Sequence, residues 1–311
     1  MKIIALQEGN YIADSKKEFK LITERTSDSG LKMAIQPFLV VTENDVILLD
    51  LGLGFMNNGI PFIHEMLRKN NIEPEQVTKV LVSHLHKDHI EGIGYFNEGN
   101  FVCNFPNAKI YIQEREIDFA LEQINNPSYV FEILNELKKL PNVELLNSDS
   151  GNITNEIFYE VSAGHTKFHQ VFWIKANNEI VFYGADDLPQ KIYWSMHVAY
   201  KTDFDGKRAM ESRKKWEQQA KDENWKVLFY HDMKMPVLEF IEEKIKVSPN
   251  KTAIKEVGAI VESNAPPTAP MVVAISRKIP SRMFVIPSLT YAAAEPEDVA
   301  ITETSAVPIA K

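Results

Sequence analysis

Three imidazoles and one carboxylate stand within six positions, in Ser83-His84-Leu85-His86-Lys87-Asp88-His89. Neutral imidazole and carboxylate oxygen are the ligands that a borderline divalent cation prefers. The run follows Val80-Leu81-Val82, an apolar stretch of strand length. His84 and His86 are two residues apart, so an extended backbone aims both to one side. Asp88 and His89 then fall on the turn beyond the strand, where they can face a second ion. A polar surface loop is the plainer alternative, and the rest of the chain argues against it.

A site for two ions needs about six or seven protein ligands. Three later segments offer them. Gly164-His165-Thr166-Lys167-Phe168-His169 lies between the strand-like runs Ile157-Val161 and Gln170-Ile174. Ile180-Val181-Phe182-Tyr183 runs into Gly184-Ala185-Asp186-Asp187, and Val227-Leu228-Phe229-Tyr230 ends in His231-Asp232. Each ligand-type residue stands just past a strand. Residues at one end of several strands converge in space although they are far apart in sequence.

These segments resemble the metallo-β-lactamase superfamily. The match rests on His84-Leu85-His86-Lys87-Asp88-His89, Gly164-His165-Thr166 with His169, Asp186 and His231-Asp232, preceded by Val46-Ile47-Leu48-Leu49-Asp50-Leu51-Gly52. It spans about residues 35 to 235, in the family's order. The resemblance implies an α/β fold, the αββα sandwich of two mixed β-sheets with helices outside. It assigns His84, His86 and His165 to one metal and Asp88, His89 and His231 to a second. Asp186 bridges both; Asp187 is the competing bridge, and Asp186-Asp187-Leu188-Pro189 resembles an Asp-x-x-Pro turn of some relatives. His169 is usually not a ligand in the family and is expected to support the site. Cys103, the single cysteine, lies outside every ligand segment and reads as a small buried hydrophobe.

Other residues carry weaker signals. Asp50 either hydrogen-bonds a liganding imidazole or simply makes the turn before Gly52. His64, in a run of helical spacing, reads as a helix-surface residue. Tyr193 and His197 lie in the aromatic segment Tyr193-Trp194-Ser195-Met196-His197-Val198-Ala199-Tyr200. That segment either walls a substrate pocket or packs as core, so Tyr193 and His197 are pocket candidates.

The elements that must position these groups alternate along 311 residues. Strand-like runs are Phe38–Val41, Val46–Leu49, Val80–Val82, Lys109–Ile112, Ile157–Val161, Gln170–Ile174, Ile180–Tyr183 and Val227–Tyr230. Helical spacing marks Glu114–Ile124, Gly206–Asp222 and Val237–Lys246. From about Val261 the chain turns Pro- and Ala-rich, which excludes long helices. The expected organisation is a hydrolase domain over 1–260 and a C-terminal extension over 261–311. That extension is read as a flexible appendage, a partner-binding arm, sequence fused to the domain, or a sheet-edge strand through Met271–Ile275. A net charge of −9 disfavours nucleic acid as a partner. No apolar run is long enough to span a membrane, and a lone cysteine gives no internal disulfide, which makes the cytoplasm the default. The expected partner is a small-molecule substrate; a homodimer is allowed.

Two divalent metal ions, zinc first with iron, manganese or cobalt as alternatives, would hold a hydroxide between them at near-neutral pH. That hydroxide attacks a carbonyl or phosphoryl centre, with Asp88 as catalytic proton carrier. Residues His84–Leu121 are most similar to quorum-quenching lactonases and organophosphate hydrolases. One departure is Pro189, where the lactonases carry a substrate-orienting Tyr; another is Ile90-Glu91-Gly92, where relatives often have Gly-Gly. The expected activity is hydrolysis of an ester, lactone or phosphotriester, apolar rather than highly charged. Alternatives are a glyoxalase II-like thioesterase and a non-catalytic metal-binding protein on the same fold.

Overall fold

The computed structural model describes residues 1–23, 30–196 and 198–240. After β1 (Lys2–Ala5), three strands form a small antiparallel sheet: β2 (Gly9–Ala13), β3 (Phe19–Leu21) and β4 (Leu31–Ile35), with β2 central. The chain continues through β5 (Phe38–Val41), β6 (Val46–Leu49), the hairpin β7 (Met56–Asn57) and β8 (Ile60–Pro61), and α1 (Phe62–Lys69). Next come β9 (Lys79–Leu81), the one-turn helix α2 (Lys87–Ile90), the hairpin β10 (Gly94–Asn97) and β11 (Asn100–Cys103), and β12 (Lys109–Gln113). Helices α3 (Glu114–Glu122) and α4 (Phe131–Leu137) precede β13 (Val143–Leu146), β14 (Ser150–Asn152), β15 (Ile157–Val161), β16 (Gln170–Ala176) and β17 (Glu179–Tyr183). The last described elements are α5 (Ile192–Ser195), α6 (Gly206–Asp222), β18 (Lys226–Leu228) and β19 (Val237–Glu239).

Two six-stranded sheets carry the structure. The first runs β1-β5-β6-β9-β12-β13 and the second β14-β15-β16-β17-β18-β19. Both are mixed: β6, β9, β12 and β13 pair in parallel, as do β17 and β18, and the remaining pairs are antiparallel. Period-two alternation sorts the side chains into three cores. Phe38, Val40, Ile47 and Leu49 face Phe172, Ile174, Val181 and Tyr183 across the space between the sheets. The intervening Leu39 and Leu48 pack outward with Ile63 and Leu67 of α1 and Ile117 and Ala120 of α3. On the far side, Phe182 and Val227 pack against Trp216 and Ala220 of α6. The layers are therefore helix, sheet, sheet, helix, as the resemblance implied.

The strands read from sequence are present, within a residue or two at their ends. One expected helix is not. Val237–Glu239 is a strand that pairs antiparallel with β18, Val227 opposite Leu238. Its backbone groups have a waiting partner in β18, and that outweighs a helical spacing over a short run. Residues 241–246 of that expected helix, the boundary at residue 260, the 261–311 extension and Met271–Ile275 lie outside the described residues. Cys103 is half-buried in β11, against the first sheet's outer core. His64 sits on α1 as expected, but it is half-buried and its Nε2 reaches the Asn104 carbonyl at 2.9 Å.

Candidate metal centre

The local fold of the first motif explains its spacing. After β9 the chain stays extended through His86 (φ −66, ψ 146), so His84 and His86 point to the same side. The single turn of α2 then swings Asp88 and His89 round to a neighbouring position. His165 stands in the loop between β15 and β16, Asp186 just after β17, and His231 after β18. Gly164 admits its loop into a tight space: a Cβ there would stand 2.4 Å from the Asp187 carboxylate and 2.7 Å from Ala209 Cβ.

All seven expected ligands come together. Donor atoms of His84, His86, His165 and Asp186 lie within 4.8 Å of one another, as do those of Asp88, His89 and His231. Asp186 faces both sets. Its Oδ2 is 3.2 Å from His165 Nε2, and its Oδ1 is 2.9 Å from His231 Nε2 and 3.3 Å from His89 Nε2. Asp187 turns away. Its carboxylate accepts from the backbone N–H of His165 (2.6 Å) and of Gly164 (3.3 Å), so it is spent on holding the loop. Asp232 likewise serves a turn, accepting from the N–H groups of Lys191, Lys234 and Met235. His169 is fully buried behind His84, with its Nδ1 2.9 Å from the Ser162 hydroxyl, and is outside both sets.

Hydrogen bonds on the outer ring nitrogens fix what the inner ones can do. His89 Nδ1 is 2.8 Å from Asp50 Oδ2, His165 Nδ1 is 2.7 Å from Asp203 Oδ1, and His231 Nδ1 is 2.8 Å from the Ala34 carbonyl. These partners only accept, so each Nδ1 carries the proton. His84 Nδ1 contacts the Ser83 hydroxyl at 3.0 Å, and that hydroxyl donates to Asp50 (2.6 Å). The Nε2 lone pairs of these four rings are thereby left facing inward. Nε2 of His84 and of His89 is buried and makes no hydrogen bond, nor does Asp186 Oδ1.

Such a set fits a cation. His165 Nε2 and His86 Nδ1 stand 3.1 Å apart, and two tetrahedral ligands of one zinc stand roughly 3.3 Å apart. Converging lone pairs repel unless a positive charge sits among them. Burial holds His84 and His86 well below the ordinary imidazole range, in the neutral form that binds metal. Burial would do the same to His89, but the Asp186 and Asp88 carboxylates outweigh it and raise that ring well above its usual value. Burial alone would raise the Asp186 carboxyl; the imidazoles of His231, His89 and His165 instead hold it well below the carboxylate range.

Asp50 resolves its two readings in favour of support. It is fully buried, in the left-handed region (φ 54), and accepts from Ser83 N–H, Ser83 hydroxyl, His89 Nδ1–H and the Tyr183 hydroxyl. One carboxylate thus orients a ring from each set. Other supports carried no local signal. Asp203 comes from the segment before α6, which hydrogen-bonds back onto Gly164 and His165. Tyr230 stacks on His89, with ring centres 4.1 Å apart, and donates to the Asp88 carbonyl. Glu116 on α3 accepts from the Phe168 N–H, and burial pushes its carboxyl up to about 7.

A cleft opens over the set. Its apolar side is Ala13, Phe19, Leu31 and Met33 from the small N-terminal sheet, a region the sequence reading left without a role. Tyr200 also lines it, its ring 6.0 Å from that of His165 and its hydroxyl buried. Tyr193 stands behind Tyr200 and over the Arg213 guanidinium (4.9 Å), and it is not among the residues lining the cleft. Trp194 packs into the α6 core. The expected aromatic wall thus reduces to Tyr200, and His197 lies outside the described residues. Buried Arg213 donates to the carbonyls of Asp187 and Val198, pinning this segment to α6.

Comparison with solved structures finds the same architecture. A probable metal-dependent hydrolase from Staphylococcus aureus superposes with a TM-score of 0.64 at 17% identity, covering 78% of this chain and 93% of that one. A hydrolase of the β-lactamase superfamily, AbOPH, gives 0.61 at 22% identity, covering 76% and 89%. AidC, a dizinc quorum-quenching lactonase held with its product N-hexanoyl-L-homoserine, gives 0.53 at 26% identity, covering 67% and 75%. Among curated proteins none matches the chain. The family model described as metallo-beta-lactamase superfamily matches residues 34–231, a span holding every residue of both ligand sets. With that match and the layered fold beneath it, the chain belongs to the metallo-β-lactamase superfamily.

Proposed function

We propose that this protein is a hydrolase of esters, lactones or phosphotriesters that works with two divalent ions, zinc first among them. The observation that carries the reading is the Asp186 carboxylate, one oxygen turned to each ligand set. His84, His86 and His165 would hold one ion, Asp88, His89 and His231 the other, with Asp186 shared. Bound there, the ions supply Lewis acidity and a water of lowered pKa. Catalysis then falls to the chain's own groups. Asp88 lies at the cleft floor, 3.6 Å from His231 Nε2, and is the carboxylate placed to take up and pass on a proton. Tyr200 is the phenol among the lining residues; its hydroxyl, buried beside Tyr193, would have to turn into the cleft to donate to a substrate oxygen. Phe19, Leu31 and Met33 shield the reacting bond from bulk water and hold an apolar substituent.

Acyl-homoserine lactones rank below aryl esters in this reading. The position of the lactonase Tyr is Pro189, whose carbonyl accepts from the His231 N–H and offers no hydroxyl. The test is elemental analysis of protein purified with zinc supplied, followed by a panel of para-nitrophenyl esters, lactones, aryl phosphotriesters and thioesters. Close to two ions per chain is expected, with hydrolysis in the first three classes that chelation abolishes. A folded protein that takes up no metal sinks the reading. Turnover confined to glutathione thioesters replaces it with a thioesterase.

A further inference from the structure

Fourteen residues line the cleft, and their charges divide in an unusual way. The lining carboxylates are Asp88 and Asp186, and both belong to the ligand sets. The lining lysines are Lys17 and Lys87. Neither forms an ion pair among the described residues, though Glu91 lies near enough to Lys87 to feel its charge. Lys17 sits at the tip of the turn between β2 and β3, held by its N–H to the Asp14 carbonyl. The Asp14 carboxylate next to it is occupied by the N–H groups of Lys16 and Glu18. Lys87 arises from the first turn of α2, and its ammonium rides over the Phe19 ring at 5.7 Å. Both side chains are half-buried rather than extended into solvent. Two half-buried lysines thus flank the apolar side of a cleft, on a chain whose net charge is −9.

We propose that Lys17 and Lys87 form an anion clamp, and that the substrate carries a carboxylate or phosphate group set apart from the bond that is cleaved. This rests on the hydrolase reading and narrows its substrate class. The apolar stem of that substrate would lie on Phe19 and Leu31, with its anionic end between the two ammonium groups. Such an end is bound alike in ground state and transition state, so its recognition appears in KM rather than kcat.

The experiment compares three probes on the zinc-loaded protein: mono-para-nitrophenyl glutarate, its neutral methyl ester, and a para-nitrophenyl phosphonobutyrate. The two anionic probes should exceed the neutral one in kcat/KM by about tenfold or more, through KM. The preference should shrink as sodium chloride rises. Lys17→Met and Lys87→Met should each reduce it several-fold, and Lys17→Glu should reverse it. Exposed Lys207→Met should leave it intact. Lys87 adjoins a ligand, so metal content is measured alongside, and Lys17 decides the matter if Lys87→Met loses metal. A preference for one anionic probe identifies carboxylate or phosphate as the group recognised. Equal turnover of charged and neutral esters, or a preference that survives Lys17→Glu, overturns the clamp while leaving the hydrolase reading in place. If no probe is turned over, the ester arm of the hydrolase reading fails, and calorimetry with monomethyl glutarate on wild type and Lys17→Glu still reads the clamp. Equal affinities there overturn it.

Discussion

At the floor of the cleft the expected ligand side chains are tied back by buried partners, whereas the walls above them are built largely from apolar side chains of the small N-terminal sheet. His84, His89, His165 and His231 each spend their outer nitrogen on a fixed acceptor, and Asp50 serves two of those rings at once. On the walls, Leu31 is 39% exposed and Phe19 and Lys17 are half-buried. The floor needs ring nitrogens held to a fraction of an ångström, which takes buried hydrogen bonds from several elements. The walls need only shape and charge, and an edge of a small sheet supplies them. Chemistry and specificity are therefore separable here, and substitutions should separate them.

The largest effect should come from Asp88 at the floor. Asp88→Asn keeps the size of the side chain and removes the carboxylate proposed as proton carrier. It should retain the fold and lose roughly 10²–10⁴-fold in kcat. Circular dichroism, metal content and turnover of the best ester check this. Near-normal turnover in folded, metal-loaded Asp88→Asn would remove Asp88 from the chemistry.

Next should come the supports. Asp50 accepts four hydrogen bonds in full burial, and asparagine would aim an N–H₂ at some of those donors. Asp50→Asn should weaken zinc binding by about 10–100-fold and lower Tm by several degrees. Asp203 contacts one ligand ring, and Asp203→Asn preserves an acceptor for it, so its loss should be smaller on both readouts. Competition with a chromogenic chelator measures the order. An Asp203 effect equal to that of Asp50 would show that sharing between the two sets does not matter.

The same division decided what the sequence could disclose. Six of the expected floor ligands announce themselves because strand alternation and one helical turn act over six residues, or because His165 and His231 closely follow a strand. Asp186 and Asp187 were separable only by resemblance; in the fold, the loop N–H groups of Gly164 and His165 claim Asp187. Asp203, Tyr230 and the Ala34 carbonyl are distant in sequence from the rings they hold, as Tyr183 is from Asp50, and no spacing marks them. Four strands of each sheet, β5, β6, β9 and β12 in the first and β15, β16, β17 and β18 in the second, were legible from their apolar runs, whereas β1, β13 and β14 were not. The β2–β4 sheet passed unread, because its residues gain meaning only where the chain folds it over the metal loops. Val237–Glu239 misled in the opposite way, since its partner strand rather than its own spacing decides its state.

Tyr200 stands between floor and wall, and its removal should have an intermediate effect. Tyr200→Phe keeps the ring against His165 and deletes one hydroxyl. A neutral hydrogen bond to the substrate is worth about 1 kcal/mol, so kcat/KM should fall by roughly five- to tenfold with metal content unchanged. A drop in metal content instead would assign Tyr200 to the support of His165.

The smallest effect should come from the wall itself. Leu31→Ala removes an apolar side chain that is already 39% exposed, so only part of its surface can contact substrate. With about 25 cal/mol per Å² of apolar contact, the loss should be about two- to fourfold in kcat/KM for esters with a long acyl chain. Short acetyl esters do not reach β4 and should lose less. The change should lie in KM, since this contact does not alter as the bond breaks. Steady-state kinetics across an acyl series, from acetyl to octanoyl, tests both statements. If Leu31→Ala lowers kcat equally for every chain length, the wall is mechanically coupled to the metal floor, and the separation between chemistry and specificity does not hold.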